Sequence, residues 1–409
     1  MSATIENGVN GGLEGVVAFA TEIAEPDRAG GALRYRGVDV EELVGRVPFE
    51  QVWGLLVDGT PLPGLELGAG AAGVDVAGLE LAGVDAPGGG EAGRGRDARR
   101  ELQAAIARLP MRPLIDLDAE QARDELAVAS AATLELAAEI ARVVAPAGGS
   151  GVDAPGVQGG GAPVGRDVEA PGVRGGGAPG ARGVDTPGAS GAAARFLARW
   201  RGDADPAHAK ALDAYWITAA EHGSNASTFT ARIVASTGAD VAAALSAGVG
   251  ALSGPLHGGA PARVLTMLDE VEREGDATRY VKRILDRGER LMGFGHRIYR
   301  AEDPRARVLR RTAGELRSER LQTATELERA ALEELAARKP DRVLATNVEF
   351  WSAVILDFAQ IPPSLFLPLF ACARTAGWSA HILEQKRQGR LIRPTAAYVG
   401  PTPRPLPGA

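Results

Sequence analysis

The segment DPAHAKALDAYWITAAEHGSN, residues 205–225, contains the pattern that decides the fold class. Asp205 precedes Pro206, and proline is common at the first position of a helix because N–H groups there need no partner within the helix. Apolar residues then return every three or four positions until the Gly-Ser-Asn sequence that follows His222. This spacing predicts an amphipathic helix that begins after Asp205 and ends near Glu221.

The same helical pattern recurs along most of the chain, with Pro, Gly or Asp at the breaks. Asp118 and Gln121 resemble a capping box that opens a helix reaching about residue 144. Strand patterns are nearly absent, and only residues 16–35, with Gly30 and Gly31 at a turn, suggest a hairpin. The sequence therefore predicts a mainly α fold with a small N-terminal β-hairpin. Further helices are predicted over residues 240–252, 260–273, 278–291, 305–316, 323–337 and 377–388.

Length and composition exclude several classes of protein. The chain has 409 residues, 45% of them hydrophobic and 24% charged, which is enough for a sizeable core in about two domains. A formal net charge of -7 provides no general positive field for nucleic acid or an anionic membrane. The single cysteine, Cys372, excludes an intramolecular disulfide and a cysteine-based zinc cluster. With no apolar span or signal pattern at Met1, we expect a cytoplasmic protein that does not bind membranes.

Two segments rich in Gly and Pro, residues 65–96 and 146–191, interrupt the helical pattern. The second contains 16 Gly and 6 Pro in 46 residues, including two copies of a sixteen-residue repeat that begin at Ala154 and Ala170. So few large apolar side chains cannot offset the entropy of ordering the chain. We expect both segments to be flexible surface insertions; a partner-docking loop is the alternative, although no aromatic or basic cluster anchors one.

Three of the five histidines stand among glycines between helices: His222 in HGSN, His257 in GPLHGG and His296 in GFGHR. Small neighbours let an imidazole and nearby backbone N–H groups approach a ligand. Gaps of 35 and 39 residues, without an HExxH motif or a cysteine partner, argue against a metal site. For each histidine the alternative is an ordinary turn residue. His208 and His381 lie within helical patterns and are predicted to be a surface and a packing residue, respectively.

Three arginines and one carboxylate complete the candidate site. Arg305 in EDPRAR, Arg374 in CARTAGW and Arg393 in RLIRP could each bind a carboxylate through two parallel hydrogen bonds, which suits a di- or tricarboxylate. The alternative for any one of them is a solvated surface charge. Glu349 lies among apolar residues in TNVEFWS, where burial would raise its pKa and make it a better base. Its alternative is a helix N-terminal residue stabilised by the helix dipole.

Taken in chain order, these segments resemble the citrate synthase family, and from about residue 203 to 401 the resemblance is nearly continuous. It also reaches toward the N-terminus through two earlier segments. The segments that carry it are LEGVVAFATEIAEPDRAGGALRYRG from 13, PFEQVWGLLVDG from 48, AEHGSNASTFTARIVAST from 220, ALSGPLHGGAP from 251, LMGFGHRIYRAEDPRA from 291, TNVEFWSAVILDF from 346 and ACARTAGWSAHILEQKRQGRLIRPTAAYVGP from 371.

The resemblance implies a mostly helical homodimer with a large domain and a smaller domain that closes over the substrates. Residues 1–258 would form the first part of the large domain, residues 259–366 the small domain, and residues 367–409 the returning part of the large domain. The expected substrates are oxaloacetate and acetyl-CoA. The family needs neither a metal nor a cofactor besides coenzyme A as cosubstrate.

Catalytic roles are implied for three residues. Glu349 matches the carboxylate that removes a methyl proton from acetyl-CoA, and His257 matches the neutral histidine that donates to the thioester oxygen. His296 matches the histidine that polarises the carbonyl of oxaloacetate. Glu349 departs from the family pattern, because most members have aspartate there, and one extra methylene moves a base by about 1 Å.

Binding roles are implied for five more residues. His222, Arg305 and Arg374 match residues that hold oxaloacetate or citrate, Arg393 matches an arginine from the partner subunit, and Arg300 matches a contact to a coenzyme A phosphate. The sequence leaves two alternatives open. One is a 2-methylcitrate synthase using propionyl-CoA, since one methylene changes discrimination by only about 1–3 kcal/mol. The other is a catalytically silent paralogue that binds dicarboxylates.

Overall fold

This computed structural model describes residues 15–27, 31–61, 64–66, 97–146, 191–255, 257, 261–296, 298–299 and 301–403. Both predicted Gly- and Pro-rich insertions lie outside the described residues, except for residues 65, 66, 146 and 191 at their edges.

The N-terminal part forms a small antiparallel sheet with strand order β1-β2-β3. Ala24 pairs with Tyr35, and Tyr35 pairs with Val38. The predicted hairpin is therefore confirmed and is extended by one short strand. Arg36 and Gly37 make the second turn with φ of 47° and 84°. The strands are β1 (Ala24–Asp27), β2 (Ala32–Tyr35) and β3 (Val38–Asp39).

Helices form most of the described structure, which confirms the mainly α class. They are α1 (Val40–Leu43), α2 (Phe49–Asp58), α3 (Ala98–Ala107), α4 (Ala119–Val144), α5 (Ala192–Arg201), α6 (Pro206–Ala219), α7 (Ala226–Ser236), α8 (Val241–Leu252), α9 (Pro261–Glu274), α10 (Ala277–Asp286), α11 (Pro304–Glu315), α12 (Leu321–Arg338), α13 (Val348–Phe358) and α14 (Phe366–Gln388). None of these helices is both long and apolar enough to cross a bilayer.

Capping residues explain where several helices begin. Asp205 accepts hydrogen bonds from the N–H groups of Ala207 and His208 at the start of α6, and the capping box of Asp118 and Gln121 opens α4 as predicted. At both helix starts these side chains accept hydrogen bonds from N–H groups that have no carbonyl partner within the helix.

Two predicted boundaries were wrong. Helix α14 begins at Phe366 rather than at residue 377, because Pro368 falls in the first turn, where its missing N–H costs no helical hydrogen bond. Helix α10 ends at Asp286 rather than at residue 291, and Gly288 follows with a φ of 73°, a left-handed conformation that ends helices.

Helix α14 lies at the centre of the molecule, in contact with α2, α4, α6, α7 and α8. It is buried almost all round, as expected for a helix covered on every side. Gly248 lets α8 approach closely, since a Cβ there would lie 3.1 Å from the ring of Trp378.

A second group of helices contains α9, α10, α12 and α13, which pack on one another. Helices α11 and α13 also pack on α6, which itself contacts α14. Helix α6 therefore lies where the two groups of helices meet, and the loop after it is placed at that junction. The predicted domain boundaries at residues 258 and 366 stay a prediction.

Candidate active site

The loop after α6 is held by a tyrosine from the N-terminal sheet. Tyr35 Oη lies 3.0 Å from the Ile217 carbonyl oxygen and 3.1 Å from that of Glu221. These carbonyl groups, at the end of α6 and just after it, are acceptors for the buried hydroxyl proton of Tyr35. Because Tyr35 is fully buried, the sheet fixes the position of His222, the next residue along the chain.

His222 and His296 come together at this junction. Their ring centroids lie 5.1 Å apart at an angle of 73°. His296 Nδ1 accepts backbone N–H hydrogen bonds from Ile298 at 2.9 Å and Tyr299 at 3.2 Å. Since Nδ1 is occupied as an acceptor, the proton of the neutral ring is assigned to Nε2.

The environment keeps both histidines neutral. The pKa of His222 is lowered well below 6.5, first by burial and then by the charge of Arg305. Burial and Arg305 likewise lower the pKa of His296 to about 4. A neutral imidazole has one N–H group that donates a hydrogen bond, and it carries no positive charge.

Arg305 points its guanidinium at the same volume. Its Nη2 lies 3.3 Å from His296 Nε2, and its Nε and Nη2 donate to the two carboxylate oxygens of Asp303 at 3.0 and 2.8 Å. With the proton of His296 on Nε2, this N–H faces a second donor, Arg305 Nη2, and the Asp303 carboxylate oxygen bound by Nη2 lies 4.0 Å from Nε2, beyond hydrogen-bond distance. Such a pair favours an oxygen of a ligand, either a carboxylate or a ketone.

Arg374 adds a donor that has no partner among the described residues. It lies within α14 and is 3% exposed. Its Nε donates to the Ala219 carbonyl oxygen at 2.6 Å, whereas its Nη1 is buried without a hydrogen-bond partner in the described part of the chain. Burial lowers the pKa of this arginine. A buried donor without a partner costs free energy, so such a donor is typical of a position where a ligand supplies the acceptor.

Glu349 is both a helix N-terminal residue and a buried carboxylate with a raised pKa, the two alternatives that its sequence context suggested. It is the second residue of α13, and its N–H donates to the Asn347 side chain at 3.0 Å. Burial raises its pKa from 4.5 to about 7, although the nearby Arg305 opposes this shift. Glu349 is thus a residue of the first turn of α13, and its carboxyl group has a pKa at which a carboxylate could act as a base near neutral pH.

His257 is tied to the segment that follows His222. Its Nε2 lies 3.0 Å from the hydroxyl of Ser227, which donates to the Asn225 side chain at 2.8 Å. Trp378 Nε1 lies 3.4 Å from the same hydroxyl. Helix α7 and helix α14 together therefore orient this imidazole.

Of the two remaining predicted binding residues, one is not brought into this cluster and the other lies outside the described residues. Arg393 is exposed in the stretch after α14, which has neither helix nor strand in residues 389–403. Within the described residues, no carboxylate forms an ion pair with Arg393. Arg300 lies outside the described residues.

Sequence reasoning missed three residues of the site. Asp303 was predicted only to open a helix, yet its carboxylate also orients Arg305. Ser227 and Tyr299 contact His257 and His222 through their hydroxyl groups. The spacing of Asp303 and Arg305 was the only signal available, because the other two contacts join separate parts of the chain.

Comparison with known proteins agrees with this geometry. A family model described as "Citrate synthase, C-terminal domain" matches residues 12–68 and 102–395. The chain is 52% identical over 409 residues to a Mycobacterium tuberculosis protein named "Putative citrate synthase 2", covering 99% of this chain and 96% of that one. A 2-methylcitrate synthase of Shewanella oneidensis is 40% identical over 212 residues, 52% of this chain and 56% of that one.

A solved structure shares the fold over nearly the whole chain. It is the citrate synthase of Thermoplasma acidophilum in ternary complex with carboxymethyl coenzyme A and oxaloacetate, with a TM-score of 0.71, 23% identity and 98% coverage of each chain. The fold and the matched span define the class as an acyltransferase that converts the acyl group into an alkyl group on transfer. Within this class, the chain belongs to the citrate synthase family.

Proposed function

We propose that the protein condenses acetyl-CoA with oxaloacetate and hydrolyses the resulting citryl-CoA to citrate and coenzyme A. The observation that carries this proposal is the convergence of His296 Nε2 and Arg305 Nη2, 3.3 Å apart, next to His222. Arg305 Nη2 gives one N–H to Asp303 and has a second, and the Nε2–H of His296 lies 4.0 Å from the same carboxylate; an oxoacid would supply an acceptor for both. The ligands named for the Thermoplasma acidophilum structure support the same pair of substrates.

Oxaloacetate would be bound by charge and by neutral donors. Arg305 and Arg374 would bind its carboxylates, since Arg374 Nη1 is buried and has no partner among the residues that the structure describes. The N–H of His296 would donate to the ketone oxygen, drawing electron density from the carbon that is attacked. His222 would hold the oxoacid from the other side of the cluster.

Acetyl-CoA would be activated by Glu349 and His257. Glu349 takes a methyl proton while His257 donates a hydrogen bond to the thioester oxygen, so that the electron pair of the C–H bond forms an enolate. Its carbon attacks the ketone carbon of oxaloacetate, and the ketone oxygen takes the Nε2 proton of His296 to become a hydroxyl. Glu349 then releases its proton to solvent, and His296 regains one before the next turnover. Water then attacks the citryl thioester and releases the coenzyme A thiol. Base and donor must act together, because a carbon acid beside a thioester is too weak for a carboxylate alone.

We also propose a cytoplasmic homodimer that closes residues 259–366 over its substrates and supplies citrate to the tricarboxylic acid cycle. Closure would exclude water until the carbon–carbon bond has formed. Gly293 and Gly295, both with positive φ near 85°, lie just before His296 and are candidate hinges. The exposed apolar residues Leu391, Tyr398 and Val399 beside Arg393 support a C-terminal segment that contacts a second subunit. No metal or cofactor other than coenzyme A as cosubstrate enters the proposal.

The test is release of coenzyme A thiol from acetyl-CoA and from propionyl-CoA, each with oxaloacetate. We expect the larger kcat/KM with acetyl-CoA. A larger kcat/KM with propionyl-CoA would establish the alternative, a 2-methylcitrate synthase. The similarity to the Shewanella oneidensis protein of that name is the reason for testing this alternative. Binding of oxaloacetate without release from either thioester would show a silent paralogue and overturn the proposal.

A further inference from the structure

Tyr299 contacts both histidines of the cluster, and no motif gave it a role. Its Oη lies 3.0 Å from His222 Nε2, and its backbone N–H donates to His296 Nδ1 at 3.2 Å. Its ring lies over that of His296, with centroids 4.8 Å apart. The side chain is 2% exposed, so its hydroxyl has little access to water.

The direction of the hydrogen bond between Tyr299 and His222 follows from the acceptors that lie near the Tyr299 hydroxyl. A buried hydroxyl needs an acceptor for its proton. Among the described residues, His222 Nε2 is the only hydrogen-bond partner of Tyr299 Oη. Burial raises the pKa of Tyr299, so the phenol keeps its proton, and the ring of His222 is neutral. Tyr299 therefore donates to Nε2, and the single ring proton of His222 lies on Nδ1.

This tautomer decides what His222 presents to a ligand. Nδ1 has no hydrogen-bond partner in the described part of the chain, so its N–H remains for a ligand. The carboxylates and the ketone of an oxoacid offer only acceptors. An imidazole with the opposite tautomer would turn a lone pair toward them and repel them.

We propose that Tyr299 is a positioning residue that makes His222 a hydrogen-bond donor to the substrate. Its hydroxyl occupies Nε2 and leaves the proton on Nδ1, while its backbone N–H leaves the proton of His296 on Nε2. One residue thus sets both histidines as donors toward the same oxoacid. The nature of the ligand rests on the proposed function, but the tautomer is a property of the ligand-free protein.

The tautomer can be read directly by ¹⁵N NMR of the imidazole nitrogens in ligand-free protein. The chain has five histidines, and His222→Gln identifies the signals of His222. We expect one protonated nitrogen, Nδ1, and one unprotonated nitrogen, Nε2, at pH 7. A protonated Nε2 at His222 in the wild-type protein would overturn the inference, whatever the enzyme does with oxaloacetate.

Tyr299→Phe removes only the hydroxyl and keeps the ring and the backbone N–H. We expect His222 to lose its fixed Nδ1–H form and the Kd of oxaloacetate to rise about three- to tenfold, with the KM of the acyl-CoA unchanged. Tyr280→Phe, which removes another buried phenol hydroxyl on α10, is the matched control and should leave both readouts at wild-type values.

The two failures are distinguishable. A Tyr299→Phe protein with the wild-type tautomer and wild-type oxaloacetate affinity would contradict the positioning role. A wild-type protein that shows Nδ1–H at His222 but neither binds nor consumes oxaloacetate would contradict the proposed function and leave the Tyr299 to His222 hydrogen bond established.

Discussion

Arg305 and Asp303 lie two residues apart, and their side chains form a bidentate ion pair in which both are buried. The Asp303 carboxylate also accepts from the N–H of Arg305 and from that of Val348, each at 3.0 Å. One carboxylate therefore caps α11, holds the start of α13 and orients the guanidinium. The start of α13 carries Glu349, so the same ion pair sets the position of this residue relative to Arg305.

Replacing Asp303 tests this arrangement. Asp303→Ala leaves the buried charge of Arg305 without a counter-ion, and we expect the free energy of unfolding to fall by about 3–5 kcal/mol. The KM of oxaloacetate should rise as well, because the guanidinium loses its orientation. Denaturant unfolding and steady-state kinetics measure the two effects.

Glu333→Ala is the control for Asp303→Ala. It removes the ion pair between Arg329 and Glu333, whose side chains are about 60% exposed, and exposed pairs contribute at most about 1 kcal/mol. A loss of stability no larger for Asp303→Ala than for Glu333→Ala would show that the buried pair has no special role.

His257→Ala should nearly abolish turnover and leave the fold intact. Removing one donor to a developing oxyanion commonly lowers the rate by about 100- to 1,000-fold, and the ring lies only partly buried beside Ser227. The control is His208→Ala, since His208 makes an edge-to-face contact with Phe358, with ring centroids 5.5 Å apart, and has no role in the proposed reaction. A His257→Ala enzyme that keeps more than about a tenth of the wild-type rate would refute the assigned role.

The pKa of Glu349 predicts a dependence of activity on pH. Because kcat/KM reports groups of the free enzyme and burial raises this pKa to about 7, kcat/KM should fall as the pH drops below about 7. Glu349→Gln should lose at least about 100-fold in activity at every pH. A profile that stays flat from pH 8 to pH 5 would contradict the role of this carboxylate.

The same shift predicts a dependence of stability on pH. The folded pKa of Glu349 lies above its ordinary value of 4.5, so the folded state favours the protonated form. Stability is therefore highest below about pH 4.5 as far as this group is concerned, and it is lost as the pH rises toward 7. We expect Glu349→Gln to be more stable than wild type by about 1–3 kcal/mol at pH 8. Equal stability of the two proteins at pH 8 would contradict the burial argument.

Arg393 can be tested by mixing inactive subunits. If Arg393 completes the site of the partner, a dimer of one His257→Ala subunit and one Arg393→Ala subunit contains one site with both wild-type residues. Unfolding and refolding an equal mixture should then restore roughly a quarter of wild-type activity, because half of the dimers carry one intact site of two. No recovery, with dimers present, would place Arg393 in the site of its own subunit.

The sequence predicted the helical class and, within two residues, the starts of α4, α6, α8, α9, α10, α11 and α12, because capping residues and apolar spacing are local signals. It missed the first half of α14, where Pro368 resembles a helix break and is in fact a first-turn residue. Since α14 carries Arg374 and packs on α2, α4, α6, α7 and α8, among other helices, its full length was visible only through long-range packing.

For the site, the motif match predicted which histidines and arginines to examine, and the structure brought His222, His296 and Arg305 together. It could not predict the hydroxyl groups of Tyr299 and Ser227 as partners, since such contacts depend on how distant segments fold. The motif match also could not predict the lowered pKa values of His222 and Arg374, because the surrounding helices bury these two residues.

The proposed function requires an oxoacid to be held between the two neutral histidines and the two buried arginines. A crystal structure of the wild-type protein soaked with oxaloacetate tests this arrangement. We expect the ketone oxygen within hydrogen-bond distance of His296 Nε2, with carboxylates on Arg305 and Arg374. Oxaloacetate bound elsewhere, with this volume filled only by water, would contradict the account.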